Sequence, residues 1–490
     1  MYNIFVSIGL LWGTLLFSSL SVVGKKEMKR PNIIFIMSDD HAVNAISAYG
    51  SSLIETPNID RLAKQGMLFK NCFCTNSICS PSRASIMTGK YSHIHGVKTN
   101  YVQPGNEHVT YPELLKEAGY QTALVGKTHF GTGTNCIQSM DYYLIHYGVE
   151  YHNPKFLEKG KEIQNYEGYV TDIVTDKGIE WIKKCDKSKP FMLMLHHPAP
   201  HMPFQEKDEL LEVYNNKNYP TPPSFDDPDK NKGDSPRPFN ITMQGLLQFQ
   251  ERKESWGKYA WEAPDNLEGE ALKKWVYQRY MRAYMACVQV IDENVGKLLD
   301  FLKKSGLDEN TVVIYTSDQG FFLGEHGWFD KRFFYEESIH MPLIISYPGL
   351  KGDQRCEKMV LNVDLPETFL DIAGVSIPGD MQGKSLLPLL SNPKKNGWRD
   401  AMYYHYYENN KDSPLPVWRH YGIRTERYKL IRFYHENIDY WELFDLKKDQ
   451  YERQNLYHSE KYKKQVELLK EQLINLRKFY NDTTDVEIKR

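Results

Sequence analysis

Neither sign of charge dominates this chain. Its formal charge is only -2 over 490 residues, which excludes a global pull toward nucleic acid or a membrane surface. Any attraction for an anion must therefore come from a local cluster of basic groups. Cysteine is scarce as well: seven residues, an odd count, leave at least one unpaired and do not make a disulfide scaffold. Three are bunched at Cys72, Cys74 and Cys79, but no Cys or His set with zinc spacing accompanies them. There is no internal repeat.

What is present is ordinary globular composition, 41% hydrophobic and 25% charged. The chain is long enough for a large core and two units, since single cores seldom grow beyond ~250–300 residues. Aromatics are plentiful (33 Tyr, 22 Phe, 9 Trp), which suits a sugar-binding cleft although most must serve packing. Ile4 to Val23 is mostly apolar and is followed by Lys25-Lys26, with small residues around Ser21 to Gly24 that suit cleavage. It reads as a signal peptide over residues 1–24, with a membrane anchor as the competing reading, and the chain is expected to be exported, periplasmic or secreted. No cysteine follows the apolar stretch, so a lipoprotein anchor is not expected.

Four short apolar runs rich in β-branched residues end in polar ones. Asn32–Met37 leads into Ser38-Asp39-Asp40, and Gln121–Val125 into Gly126-Lys127. Phe191–Leu195 leads into His196-His197, and Thr311–Tyr315 into Thr316-Ser317-Asp318. Such runs predict buried strands of an α/β sheet, and open α/β sheets place ligands at the carboxyl ends of strands, so the four tips are expected in one cleft. Helices are expected over 56–66, 111–119 and 277–305. Residues 207–273, polar and rich in proline, read as an irregular excursion forming one wall of the cleft. After Pro378 short strands (401–407, 421–424, 429–433, 441–445) and a last helix (459–480) predict a smaller α+β domain, 379–490, behind a main domain of 25–378.

The strand tips carry the chemistry. Asp39 and Asp40 repel each other and need a cation or strong hydrogen bonds if both are ionised. With Asp318 and Gln319 they make an all-oxygen set that favours Ca²⁺ or Mg²⁺ over zinc. Lys127, His129, His201 and Lys331 add cations and groups that move protons near pH 7. A tetrahedral oxyanion ester requires this combination. Cys79-Ser80-Pro81-Ser82-Arg83, continuing through Thr88-Gly89-Lys90, then resembles the type I sulfatase signature, Cys-x-Pro-x-Arg followed by Thr-Gly. The resemblance extends over Pro31–His41, Gly126–His129, Thr316–Gly320, Leu323–Gly327, the Lys331 region and His420–Thr425.

That resemblance implies an alkaline-phosphatase-like fold: a large mixed or parallel sheet between helices, with a smaller C-terminal domain built on an antiparallel sheet. It implies one Ca²⁺ held by Asp39, Asp40, Asp318, Gln319 and the modified Cys79, which a separate maturase oxidises to formylglycine. One hydroxyl of the hydrated aldehyde would attack sulfur, and deprotonating the other would expel sulfate. By the family pattern Lys127 and Lys331 would bind sulfate, His129 would take the proton from the second hydroxyl, His201 would protonate the leaving sugar oxygen and Arg83 would hold the formylglycine. Gln319 stands where Asn is commoner, keeping a carbonyl oxygen, and His340 stands where Arg is usual. The runs Gly320–Arg332, His420-Tyr421-Gly422 and Tyr440–Leu443 look most like bacterial carbohydrate sulfatases of the N-acetylglucosamine-6-sulfatase type. The implied partner is then a sulfated mucin or glycosaminoglycan oligosaccharide, not nucleic acid, with Asp380 and His420 as candidate sugar contacts. Another sulfated polysaccharide (a uronate or galactose sulfate) is the alternative substrate. The other readings are a phosphatase or phosphodiesterase of the same superfamily, or a sulfoglycan-binding protein with unmodified Cys79. Those hydrolases usually carry Ser or Thr and a two-metal site with His ligands, which this sequence lacks.

Overall fold

A computed structural model describes residues 30–484 except 131–133, 228–238, 409–414, 416 and 436–437. The apolar segment read as a signal peptide lies outside the described residues. Eleven strands form one mixed sheet: β1 (Asn32–Ser38), β2 (Met67–Phe73), β3 (Gln121–Gly126), β4 (Tyr142–Tyr147), β5 (Lys155–Glu158), β6 (Ile163–Asn165), β7 (Phe191–His197), β8 (Thr311–Ser317), β9 (His340–Met341), β10 (Leu343–Ser346) and β11 (Gln354–Leu361). Their order is β11-β2-β10-β8-β1-β7-β3-β4-β5-β6, with β9 paired to β2. The four strands expected to meet are consecutive neighbours, β8-β1-β7-β3, and all three of these pairings are parallel. β1 and β7 are buried at every position, which is why their sequences run apolar instead of alternating.

Helices cover both faces. Pro57–Gln65 and Val170–Lys184 pack with the long Gly269–Ser305 helix, while Cys79–Thr88, Tyr111–Glu117 and Asp364–Ile372 pack together elsewhere. The long helix begins eight residues before its expected start, because its first two turns have little apolar periodicity to announce them. The segment read as irregular is more regular than expected: it holds the helices Asp208–Asn215 and Met243–Gln250, each with one apolar side buried. A second sheet follows, antiparallel throughout: β12 (Ala401–Tyr406), β13 (His420–Thr425), β14 (Tyr428–His435) and β15 (Ile438–Asp445), against the helix Lys463–Phe479.

At the tip of β3 the backbone comes so close to β7 that no side chain fits. Gly126 has φ +116°, and a Cβ there would lie 1.9 Å from the His196 carbonyl oxygen. The same oxygen accepts the Lys127 N–H at 2.8 Å, which fixes where Lys127 leaves the sheet. Gly126→Ala combines left-handed backbone strain with a backbone clash and is expected to destabilise the fold by about 2–4 kcal/mol. Urea denaturation of the purified variant measures this; a loss below about 1 kcal/mol would contradict the packing described.

Candidate active site

Register brings the tips together. Ser38 lies opposite Ser317 on one side and His197 on the other, so Asp39-Asp40 and Asp318-Gln319 emerge side by side. The Asp40 N–H donates to Asp318 Oδ1 at 3.1 Å, with Asp40 in the left-handed region at φ +64°. The Cys79–Thr88 helix enters from the other direction, buried along its whole length. Cys79 is its first residue and Arg83 lies one turn on, which puts both on one face. Arg83 Nε donates to Asp318 Oδ2 at 2.9 Å and Nη1 to the Lys127 carbonyl at 2.9 Å, while Nη2 stands 3.5 Å from Asp39 Oδ1. The Ser82 hydroxyl donates to the Asp318 carbonyl. One helix turn therefore ties three strand tips together. Gly89, left-handed at φ +69°, ends the helix.

Two lysines complete the cluster. Lys127 Nζ bonds Asp39 Oδ2, and Lys331 Nζ donates to Asp40 Oδ2 at 2.6 Å. Cys79 Sγ lies 3.5 Å from Asp39 Oδ1 and 3.6 Å from Gln319 Nε2, and that amide also donates to Asp40 Oδ1. His201 Nε2 is 3.7 Å from Asp40 Oδ2, its Nδ1 held on the Met202 carbonyl at 2.5 Å. His129 stands beside them, its carbonyl 3.4 Å from the Ser80 hydroxyl and its buried Nδ1 without a hydrogen-bond partner. Of the sequence-derived candidates, Asp39, Asp40, Cys79, Arg83, Lys127, His129, His201, Asp318, Gln319 and Lys331 thus converge.

Others do not. His196 and His197, at the tip of β7, are buried in the sheet; His196 Nδ1 bonds the Lys127 carbonyl at 3.2 Å and its ring packs on Phe35. Asp380 pairs with Lys90 at 2.5 Å, just beyond the far end of the helix that Cys79 begins. Ten helical residues separate the two ends by about 15 Å. His420 has no exposed surface; it sits among Tyr404, Tyr406 and Phe433 with Nδ1 on the Trp418 carbonyl at 2.7 Å, which suits packing and not sugar contact. His340 is held on the Lys70 carbonyl at 2.7 Å against Phe73, a local packing role. Sequence reasoning also missed a brace beside Cys79. Asn100 Oδ1 accepts the Ser80 N–H at 3.0 Å, and the Asn100 N–H donates to Glu408 at 3.3 Å. Glu408 holds Arg332 at 3.2 Å, which pairs with Asp330 at 2.7 Å. Asp330 and Arg332, on either side of Lys331, both have positive φ, a strain that no composition signal reveals.

The electrostatics favour a bound cation. Burial alone would raise Asp39, but Lys127, His201, Arg83 and Lys331 outweigh it and hold its carboxyl well below the usual range. Burial pushes Asp40 up to about 7, with Asp39 and Asp318 repelling it against the pull of Lys331. Burial and the Asp39 charge push Asp318 up to about 6 despite Arg83. The carboxylates of Asp39, Asp40 and Asp318 offer oxygens within 4.8 Å of one another, and Gln319 Oε1 is buried without a hydrogen-bond partner. Hard oxygen donors, excess negative charge and an orphaned carbonyl oxygen together fit a hard divalent cation. A thiol at a helix N-terminus is ordinarily made more acidic. Here burial and Asp39 win, and Cys79 is pushed far above its ordinary range. Burial and Lys127 push His129 down to about 3, so its imidazole is neutral in the free site.

A buried nest of this kind, with a cysteine at a helix N-terminus, two lysines and two imidazoles, suits an ester hydrolase acting on a tetrahedral oxyanion. The sulfatase family profile matches residues 31–375 and the N-sulphoglucosamine sulphohydrolase C-terminal profile residues 324–479, so the chain belongs to the sulfatase family and is a sulfuric ester hydrolase. It is 42% identical over 498 residues to an N-acetylglucosamine-6-O-sulfatase of Bacteroides thetaiotaomicron, covering 94% of this chain and 88% of that one. It is 28% identical over 415 residues to the human N-acetylglucosamine-6-sulfatase, covering 79% and 69%. A protein solved in complex with its substrate D-glucosamine-2-N,6-O-disulfate superposes with a TM-score of 0.87 at 41% identity, covering 94% of this chain and all of that one. The alkaline-phosphatase-like fold with its four-stranded antiparallel C-terminal sheet agrees with the fold expected from sequence.

Protons would compete with a divalent cation for Asp40 and Asp318. Both folded pKa values, about 7 and about 6, lie above the ordinary carboxylate value, so protonation stabilises the cation-free fold and is lost as pH rises through that window. Cation affinity should accordingly strengthen from pH 5 to pH 8. Titration of chelator-treated protein by calorimetry at these pH values checks it; a pH-independent affinity would contradict the cluster's role.

Proposed function

We propose that this protein removes the 6-O-sulfate of N-acetylglucosamine in mucin or glycosaminoglycan glycans, using a formylglycine made from Cys79 and one Ca²⁺ held by Asp39, Asp40, Asp318 and Gln319. The observation that carries the reading is the meeting of Cys79 with these oxygen donors, Lys127 and Lys331 in one buried nest. The named activity of the 42%-identical relative and the glucosamine disulfate bound in the similar structure support the sugar.

The thiol argues for its own replacement. Pushed far above its ordinary range, Cys79 is neutral at pH 7, and the thiolate that would attack is scarcely populated. A formylglycine hydrate supplies two hydroxyls on one carbon, whose acidity a neighbouring hard cation increases. The residues of the chain do the rest. Lys331, its ammonium secured by Asp40, and Lys127 on Asp39 neutralise the sulfate oxygens. Arg83 ties Asp39, Asp318 and the Lys127 carbonyl into one frame, so the two lysines keep their spacing. His129 accepts a proton from the nucleophile's side. His201 gives one to the departing sugar oxygen: the Met202 carbonyl holds Nδ1, which leaves Nε2 facing the nest. Burial, Lys127 and Lys331 depress His201 in the free site, and a bound sulfate ester offsets the two lysines and restores its proton affinity.

The apolar segment Ile4 to Val23 supports export, with removal near Ser21 to Gly24 and a periplasmic or secreted mature chain. The Cys-x-Pro-x-Arg motif supports a formylglycine-generating enzyme as a transient partner. A screen of defined sulfated monosaccharides for released sulfate tests the substrate. Release from N-acetylglucosamine-6-sulfate is expected, and activity on galactose sulfates alone would overturn the choice of sugar. His201→Asn should lower kcat/KM on the sugar sulfate by about 10²–10⁴. An aryl sulfate with an acidic phenol needs no leaving-group proton and should lose far less. Equal losses on the two substrates would contradict the acid role.

A further inference from the structure

A cleft of about 660 Å³ lies on the β11 edge of the large sheet, where it meets the C-terminal sheet. Four separate stretches of chain line it with cations: Arg355 and Lys358 from β11, Lys394 after the Leu387–Ser391 helix, Arg424 from β13 and Lys447 after β15. Only two lining carboxylates, Glu357 and Glu426, oppose these five. Glu357 is moreover taken by Lys70 at 2.9 Å, and Arg424 is committed to Glu336 at 2.9 Å. Arg355, Lys358, Lys394 and Lys447 are left without a carboxylate within ion-pairing distance among the described residues. A register shift in β11 between Cys356 and Met359 disturbs the ladder beside these cations, and the Asn71 amide holds the Glu357 carbonyl at 2.7 Å. For a chain of net charge -2, this is a concentrated positive field.

We propose that this cleft is a docking groove for a polyanionic, sulfated glycan chain, separate from the site of hydrolysis. Four strand spacings separate β11 from β1, which is about 19 Å. A groove at that distance holds a polymer while a sugar at its end is processed. The competing explanation is that charge on an edge strand only deters pairing with another sheet. Yet the groove takes Lys394 and Lys447 from outside the edge strand, which edge protection does not require. The proposal concerns polymer binding and stands apart from the reaction at Cys79.

The test uses the full mature chain and heparin dodecasaccharide, titrated calorimetrically over a range of salt. In the variant Arg355→Gln/Lys358→Gln/Lys394→Gln/Lys447→Gln, affinity should fall about tenfold or more, and the log–log salt dependence should flatten by roughly one unit per lost contact. Turnover of a monosulfated monosaccharide should be unchanged. A control with the same charge change elsewhere, Lys183→Gln/Lys184→Gln/Lys303→Gln/Lys304→Gln, should keep wild-type affinity. Equal losses in both variants, or no loss in either, would overturn the groove. Should the fourfold variant fail to fold by circular dichroism, Lys358→Gln/Lys447→Gln against Lys183→Gln/Lys303→Gln decides by the same comparison.

Discussion

Three carboxylates, Asp39, Asp40 and Asp318, share a volume from which water is excluded, and the rest of the structure is arranged around keeping them there. Two unit charges 4 Å apart repel by about 4 kcal/mol at an effective dielectric constant of about 20. Three such pairs together rival the whole stability of a typical domain, about 5–15 kcal/mol. Arg83, Lys127 and Lys331 offset part of this repulsion, each bonded to at least one of the carboxylates. Burial, reinforced by the repulsion left over, raises the pKa values of Asp40 and Asp318, and a hard cation would offset that repulsion. The site therefore stores negative charge that suits a cation, beside lysines that suit an anion.

The same field silences Cys79. A helix N-terminus next to two lysines would make most thiols acidic, but here burial and the Asp39 charge prevail. A neutral hydroxyl would tolerate a place beside an ionised carboxylate, and a cation held by the carboxylates would acidify it. The chemistry proposed for Cys79 thus follows from its neighbours as well as from the motif that contains it.

Much of this was legible in the sequence because parallel, fully buried strands leave continuous apolar runs, and such runs end where the chain meets the site. The tips of β1, β3, β7 and β8 were found that way, and their adjacency is what sheet order added. Arg83 was legible only through the Cys-x-Pro-x-Arg motif; the helix that puts it one turn from Cys79 came with the structure. Asp380 and His420 lie apart from the nest, and the sequence does not show this, because an acid in a loop and a histidine in a strand look the same whether they face a sugar, a lysine or a layer of tyrosines. The brace through Asn100 and Glu408 joins residues over 300 positions apart, and no local pattern encodes such a contact. The helices within 207–273 were hidden by the prolines and charges between them.

Conversion of Cys79 is the central requirement of the chemistry, and the tryptic peptide Asn71–Arg83 reports it directly. That peptide contains Cys72, Cys74 and Cys79. After reduction and alkylation of protein made with a formylglycine-generating enzyme, the account predicts a peptide with Cys72 and Cys74 alkylated and an aldehyde at position 79 that reacts with a hydrazide. A peptide carrying three alkylated cysteines, from protein that still releases sulfate at the full rate, would contradict it.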